Sequence, residues 1–187
     1  MSRFETLQRE QMTSRQREVA DVIASGPRGA LKGPFLALIH NPELAAKVQA
    51  LGEHLRFDTG LPPQLVEIPI LLTARRWSSD YEWAAHARIA REAGLSEAII
   101  EAISKNSRPG RMTPDETLIH DLAHETVWRG QPTDSSYAAF ADRFGPATVL
   151  DVLAICGYYS LLAFVLNTAK LPAPAGASPL PHIPDEK

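Results

Sequence analysis

From Leu65 to Leu72 the chain reads LVEIPILL, apolar at every position except Glu67. Leu61-Pro62-Pro63 precedes it and Arg75-Arg76 follows, so the stretch predicts one helix that is apolar nearly all round. A helix without a solvent face has to lie at the centre of a fold, with other elements against every side. Two of its residues resist that setting. Pro69 removes a backbone donor and crowds the preceding turn, which predicts a kink or a local widening. Glu67 puts a carboxyl in apolar surroundings, where it needs a partner or a raised pKa.

The flanking segments supply partners for that helix. Thr13 and Gln16 form a capping-box pattern, and Val19, Ala20, Val22 and Ile23 give a first helix its stripe, ending before Gly26-Pro27. RGALKGPFLALIHNP predicts a loop and then a short helical turn, either the frame of a pocket or a plain connector. Asn41-Pro42-Glu43 starts a helix running to about Arg56, with Leu44, Val48, Leu51 and Leu55 on its buried side. Further helices follow over Asp80 to Ala93, from Ser96 to Ile103, and from Thr113-Pro114 to Arg129. Thr133 or Asp134 opens another through Phe144, and Gly145-Pro146 leads into a long apolar helix ending near Thr168. No run alternates with period two. The fold class is therefore all-α, a bundle of roughly seven to nine helices at typical helix and loop lengths.

Length and composition fit this reading. The 187 residues are enough for one domain with a proper core, and 44% hydrophobic with 22% charged residues is ordinary for a globular chain. We place the domain at 1–170 and a tail at 171–187, whose prolines at 172, 174, 179, 181 and 184 exclude regular structure. The tail is expected to be disordered or to lie along a neighbouring subunit, and the polar first dozen residues to be loosely held. A net charge of −3 offers nothing to attract nucleic acid or an anionic membrane. The N-terminus has no apolar signal region. Val149 to Leu166, broken by Asp151, Gly157 and two tyrosines, reads as a buried helix rather than a membrane span. The expected location is cytoplasmic. The single cysteine, Cys156, lies in VLAICGYYSLLAF and is expected to be a buried hydrophobe, and no intrachain disulfide is possible.

Candidate chemistry gathers between Glu67 and His86. On the helix after Arg76, Ser79, Glu82 and His86 share one face at i, i+3 and i+7, and Glu67 arrives from the helix before. A hydroxyl, two carboxylates and an imidazole can move protons. Glu82 and His86 are also an ordinary i, i+4 helix pair. Arg75 and Arg76 are candidate substrate-carboxylate ligands or a basic helix end complementing the dipole. Tyr81 and Trp83 read as packing. His120 and His124 have metal-ligand spacing in IHDLAHE but no third ligand, so no metal site is assigned.

The stretch from Gly29 to Ala102 resembles the carboxymuconolactone decarboxylase family of the alkylhydroperoxidase D-like superfamily. The peroxidase branch carries E-x11-C-x2-C-x3-H. Here Glu67 stands at the leading acid, Ser79 and Glu82 at the two cysteines, and His86 at the histidine. Ala87 to Ser96 and Gly157 to Asn167 are similar to further parts of the family. The resemblance implies an AhpD-like multi-helix bundle that assembles as trimers or hexamers. It also implies a cofactor-free lyase or isomerase for a small carboxylated lactone. In such a site we expect Glu67, Glu82 and His86 to be catalytic, with His86 transferring the proton, Glu67 or Glu82 orienting it or sharing its proton, and Ser79 donating to substrate. An antioxidant peroxidase and an oligomeric small-molecule binding protein are the alternatives. Serine forms no thiolate and a carboxylate cannot resolve a sulfenic acid, so the departures at Ser79 and Glu82 argue against dithiol peroxidase chemistry.

Overall fold

The protein is described by a computed structural model covering residues 2–182. Among these residues there are eight α-helices, one short 3₁₀ helix at Arg9–Gln11 and no strand: α1 (Ser14–Ser25), α2 (Phe35–Leu38), α3 (Pro42–Phe57), α4 (Pro63–Arg76), α5 (Asp80–Glu92), α6 (Glu97–Ser104), α7 (Pro114–Arg129) and α8 (Asp134–Ala169). The starts follow the sequence signals. Thr13, Asn41, Thr113 and Thr133 each accept a hydrogen bond from the backbone N–H three residues on. Ser96 holds the cap position of α6, but its hydroxyl makes no capping bond. Gly145 (φ 83°, ψ 161°) leaves the helical region and divides α8 into two pieces, where Gly145-Pro146 predicts a junction.

α4 is central, and it packs against α3, α5, α6, α7 and α8. Leu65, Ile68, Leu71 and Leu72 face one apolar cluster with Trp83, Ile99, Ile119, Phe140 and Val152. Val66 and Ile70 face a second, with Ile23, Phe35, Val48, Leu55, Ile155 and Leu162. Two cores share this one helix as their dividing wall, which explains why it is apolar all round. Pro69 does not divide it: α4 is a single helix, and the Thr73 hydroxyl donates to the Pro69 carbonyl at 2.7 Å. α3 differs from expectation. Leu44 and Leu51 are 42% and 47% exposed, and Ala45, Val48, Gly52 and Leu55 face inward. The small residues Ala45 and Gly52 allow close approach to the core, and that rotates the leucines outward.

The described parts of both ends are pinned. The Arg3 N–H donates to the Ala169 carbonyl at 2.8 Å, the His40 ring bonds the Glu5 carbonyl, and Arg9 pairs with Asp21. The expectation of a loosely held first dozen residues is overturned by these bonds. The described part of the tail runs along its own chain. The Leu180 N–H donates to Asp80 Oδ1 at 2.9 Å, and the Pro181 carbonyl accepts from Arg75 at 2.8 Å. Pro184 and the rest of 183–187 lie outside the described residues. α8 contains a window long and apolar enough to cross a membrane by length and composition, and half of that window is buried within the fold.

Candidate active site

The turn from α4 to α5 sets the site. Ser78 takes the left-handed conformation (φ 46°) there, its hydroxyl accepting from Arg75 Nη2 at 2.9 Å. The Ser79 N–H closes the turn onto the Ala74 carbonyl at 2.9 Å. α5 then lies against α4, and His86 Nδ1 meets Glu67 Oε2 at 2.7 Å across 19 residues of sequence. Both side chains are buried. The Tyr159 ring of α8 stands edge-on to the imidazole, 4.9 Å between centroids. With Nδ1 donating to a carboxylate oxygen, Nε2 is the nitrogen left to take or give a proton.

His86 and Glu82 line a cavity of about 310 Å³ whose walls come from the 27–35 loop, the end of α3, α5 and α8. Glu82 is 3% exposed, its Oε2 has no hydrogen-bond partner, and burial pushes its carboxyl well above the ordinary 4.5. Burial thus favours its protonated form. Tyr158 and Tyr159 are also pushed up by burial, with the charges of Arg28 and Arg56 opposing this at Tyr158. Arg28 and Arg56 are half-buried on the cavity wall. Arg28 Nε donates to Gln49 Oε1, its Nη2 donates to Tyr158 Oη at 3.1 Å, and its guanidinium lies 4.7 Å over the Phe35 ring. Lys32 and Arg88 also line the cavity, and Arg88 pairs with Glu92.

The structure brings together Glu67, Glu82 and His86 and separates the rest of the expected set. Ser79 is fully buried at the start of α5, with its hydroxyl unpartnered, and is not on the cavity wall. Arg75 turns to the opposite side of the helix end, where it holds Ser78, the Ser104 carbonyl and the tail. Arg76 lies over the Trp77 and Trp128 rings. Neither arginine reaches the cavity, because each is held by groups at the far end of α4. Tyr81, expected to be packing, is a wall residue, while Trp83 belongs to the core. The His120 and His124 rings stack on one another, and His124 stacks on Trp128. Among the described residues no group of three or more potential metal ligands comes together. Cys156 is buried in α8, and burial pushes its thiol up to about 12. Sequence reasoning missed Arg28, Arg56 and Tyr159; the loop signals at Gly29, Gly33 and Pro34 were the nearest pointer to that wall.

The all-α arrangement around α4 is shared with a solved structure. The same fold occurs in the crystal structure of the alkylhydroperoxidase AhpD core, an uncharacterized peroxidase-related protein from Ralstonia eutropha JMP134. The TM-score is 0.74 at 17% identity, over 93% of each chain. Residues 42–118 match the carboxymuconolactone decarboxylase family, a span from α3 into α7 that holds Glu67, Glu82 and His86. No curated protein matches the chain. The protein is thus similar to carboxymuconolactone decarboxylases in sequence and to AhpD-like proteins in fold.

Proposed function

We propose that the protein is a cofactor-free lyase or isomerase, acting on a small carboxylated lactone or related aromatic-catabolism intermediate by Glu/His proton transfer. The observation that carries this reading is the 2.7 Å bond between Glu67 and His86, with His86 opening on the cavity beside Glu82. In a decarboxylation, the bond from carbon to the leaving carboxylate breaks, CO₂ departs, and its electron pair moves onto the lactone carbonyl as an enolate. Protonated His86 returns a proton to carbon, with Glu67 holding the ring and stabilising its charge. Solvent restores the proton to His86. Glu82, carrying its own proton, donates a hydrogen bond to the developing oxyanion, the role that Ser79 is too deeply placed to fill.

A dithiol peroxidase reading finds little support, since the only thiol is buried and kept protonated. A binding protein without chemistry would suit an apolar pocket closed off from Glu67 and His86, whereas His86 is on the wall. A screen of lactones and keto acids tests the proposal. His86→Ala and Glu67→Gln are each expected to lower turnover by about 10²- to 10⁴-fold with the fold intact. Unchanged turnover in folded His86→Ala protein would refute it.

A further inference from the structure

Arg28 and Arg56 are charges partly withdrawn from water, a placement that is costly unless an opposite charge faces them. Elsewhere Arg9, Arg15, Arg91, Arg108 and Arg143 each hold an acidic side chain. Of the three arginines on the cavity wall, Arg88 pairs with Glu92, while Arg28 and Arg56 make no ion pair among the described residues. Arg28 is held by two neutral groups, Gln49 and Tyr158, and its Nη1 makes no bond to the protein among the described residues. Arg56 lies 5.0 Å over the Phe57 ring. Glu82, the acid that shares their wall, makes no ion pair with either, and burial favours its neutral form.

The seat of Arg28 depends on a glycine. A Cβ on Gly52 would stand 2.0 Å from Tyr158 Oη and 2.5 Å from Arg28 Nη2, closer than any real contact. Glycine inside a helix costs about 1 kcal/mol relative to alanine, and here it gives the room in which the Tyr158–Arg28 bond is made. This wall is therefore shaped to hold a guanidinium fixed at a cavity without a direct ion pair, the nearby Glu53 being engaged by Gln49 Nε2 at 3.2 Å.

We propose that Arg28, seated by Gln49 and Tyr158 over the Gly52 notch, and Arg56 form a receptor for a substrate carboxylate. The site accordingly selects anionic small molecules over their neutral analogues. The inference deepens the proton-transfer reading above and rests on it for the chemistry, but binding tests it separately. Calorimetric titration of the full chain with adipate, and with adipamide as its neutral counterpart, is the experiment. Adipate is expected to bind at least about tenfold more tightly than adipamide, the scale of one charge-assisted hydrogen bond. Arg28→Gln and Arg56→Gln, checked for an unchanged circular dichroism melt, should each lose about tenfold for adipate. Arg28→Lys, which keeps the charge and loses the fork, should fall between. Equal binding of the two probes, no binding of adipate by the wild type, or unchanged affinity in both glutamine variants would overturn the receptor. Adipate binding that needs Arg28, together with full turnover in His86→Ala, would leave the receptor standing and remove the proton-transfer reading. Loss of turnover in His86→Ala with adipate affinity indifferent to Arg28 would do the reverse.

Discussion

Burial raises the pKa of Glu82 in the folded protein well above the value of about 4.5 to which it returns on unfolding. At any pH between that value and its raised folded value, the native state carries one more proton than the unfolded chain. Unfolding then releases a proton, so stability falls as pH rises through this window. The expected slope is up to about 1.4 kcal/mol per pH unit for one such group. Glu82→Gln keeps the shape without the ionisation. Urea unfolding from about pH 5 to pH 8 should show the variant gaining on the wild type as pH rises, and a difference that stays constant would show that Glu82 ionises normally. Glu67, Glu82 and His86 were legible in the sequence because helical spacing and one short turn decide their meeting. Arg75 and Arg76 were not, since two cations at a helix end look alike in sequence whether they face a ligand, an aromatic ring or the chain's own tail. Arg28 was hidden for a related reason. What makes it a wall residue is Tyr158, 130 positions away, and a glycine whose purpose is spatial.

Among the elements, α4 was read correctly as central because its apolar circumference permits nothing else. The rotation of α3 was not legible, because its leucines and its small residues compete for the same core. Volume decided that contest, and volume depends on the partner surface rather than on the helix alone. Leu71 of α4 is fully buried, while Leu51 of α3 is 47% exposed. Leu71→Ala should cost about 2–5 kcal/mol of unfolding free energy, and Leu51→Ala should stay within about 0.5 kcal/mol. Chemical denaturation of the two variants side by side checks this, and equal losses would contradict the placement of α3. The caps at Thr13, Asn41, Thr113 and Thr133 were readable because they are local, each spanning only three residues.

For the whole molecule, the all-α class followed from the lack of any alternating run, while the routes of the two ends did not. Proline content announced an irregular tail but could not say where it goes. Its path is fixed by a hydrogen bond to Asp80, the carbonyl of Pro181 on Arg75, and Leu180 against the core. Between Leu171 and Leu180 the chain has no helix, which is the kind of segment a protease can accommodate. A nick there would free the distal piece to dissociate. The Arg75 guanidinium would keep Ser78 and Ser104 but lose the Pro181 carbonyl, a bond of about 1.5–3 kcal/mol. Limited digestion should therefore yield a truncated core that remains folded and melts about 3–12 °C lower. An unchanged melt would show that the strap contributes nothing. The thermal stability of the whole chain is thus expected to depend on a dozen residues that do not line the cavity, which close over a buried charge much as a stopper closes a vessel.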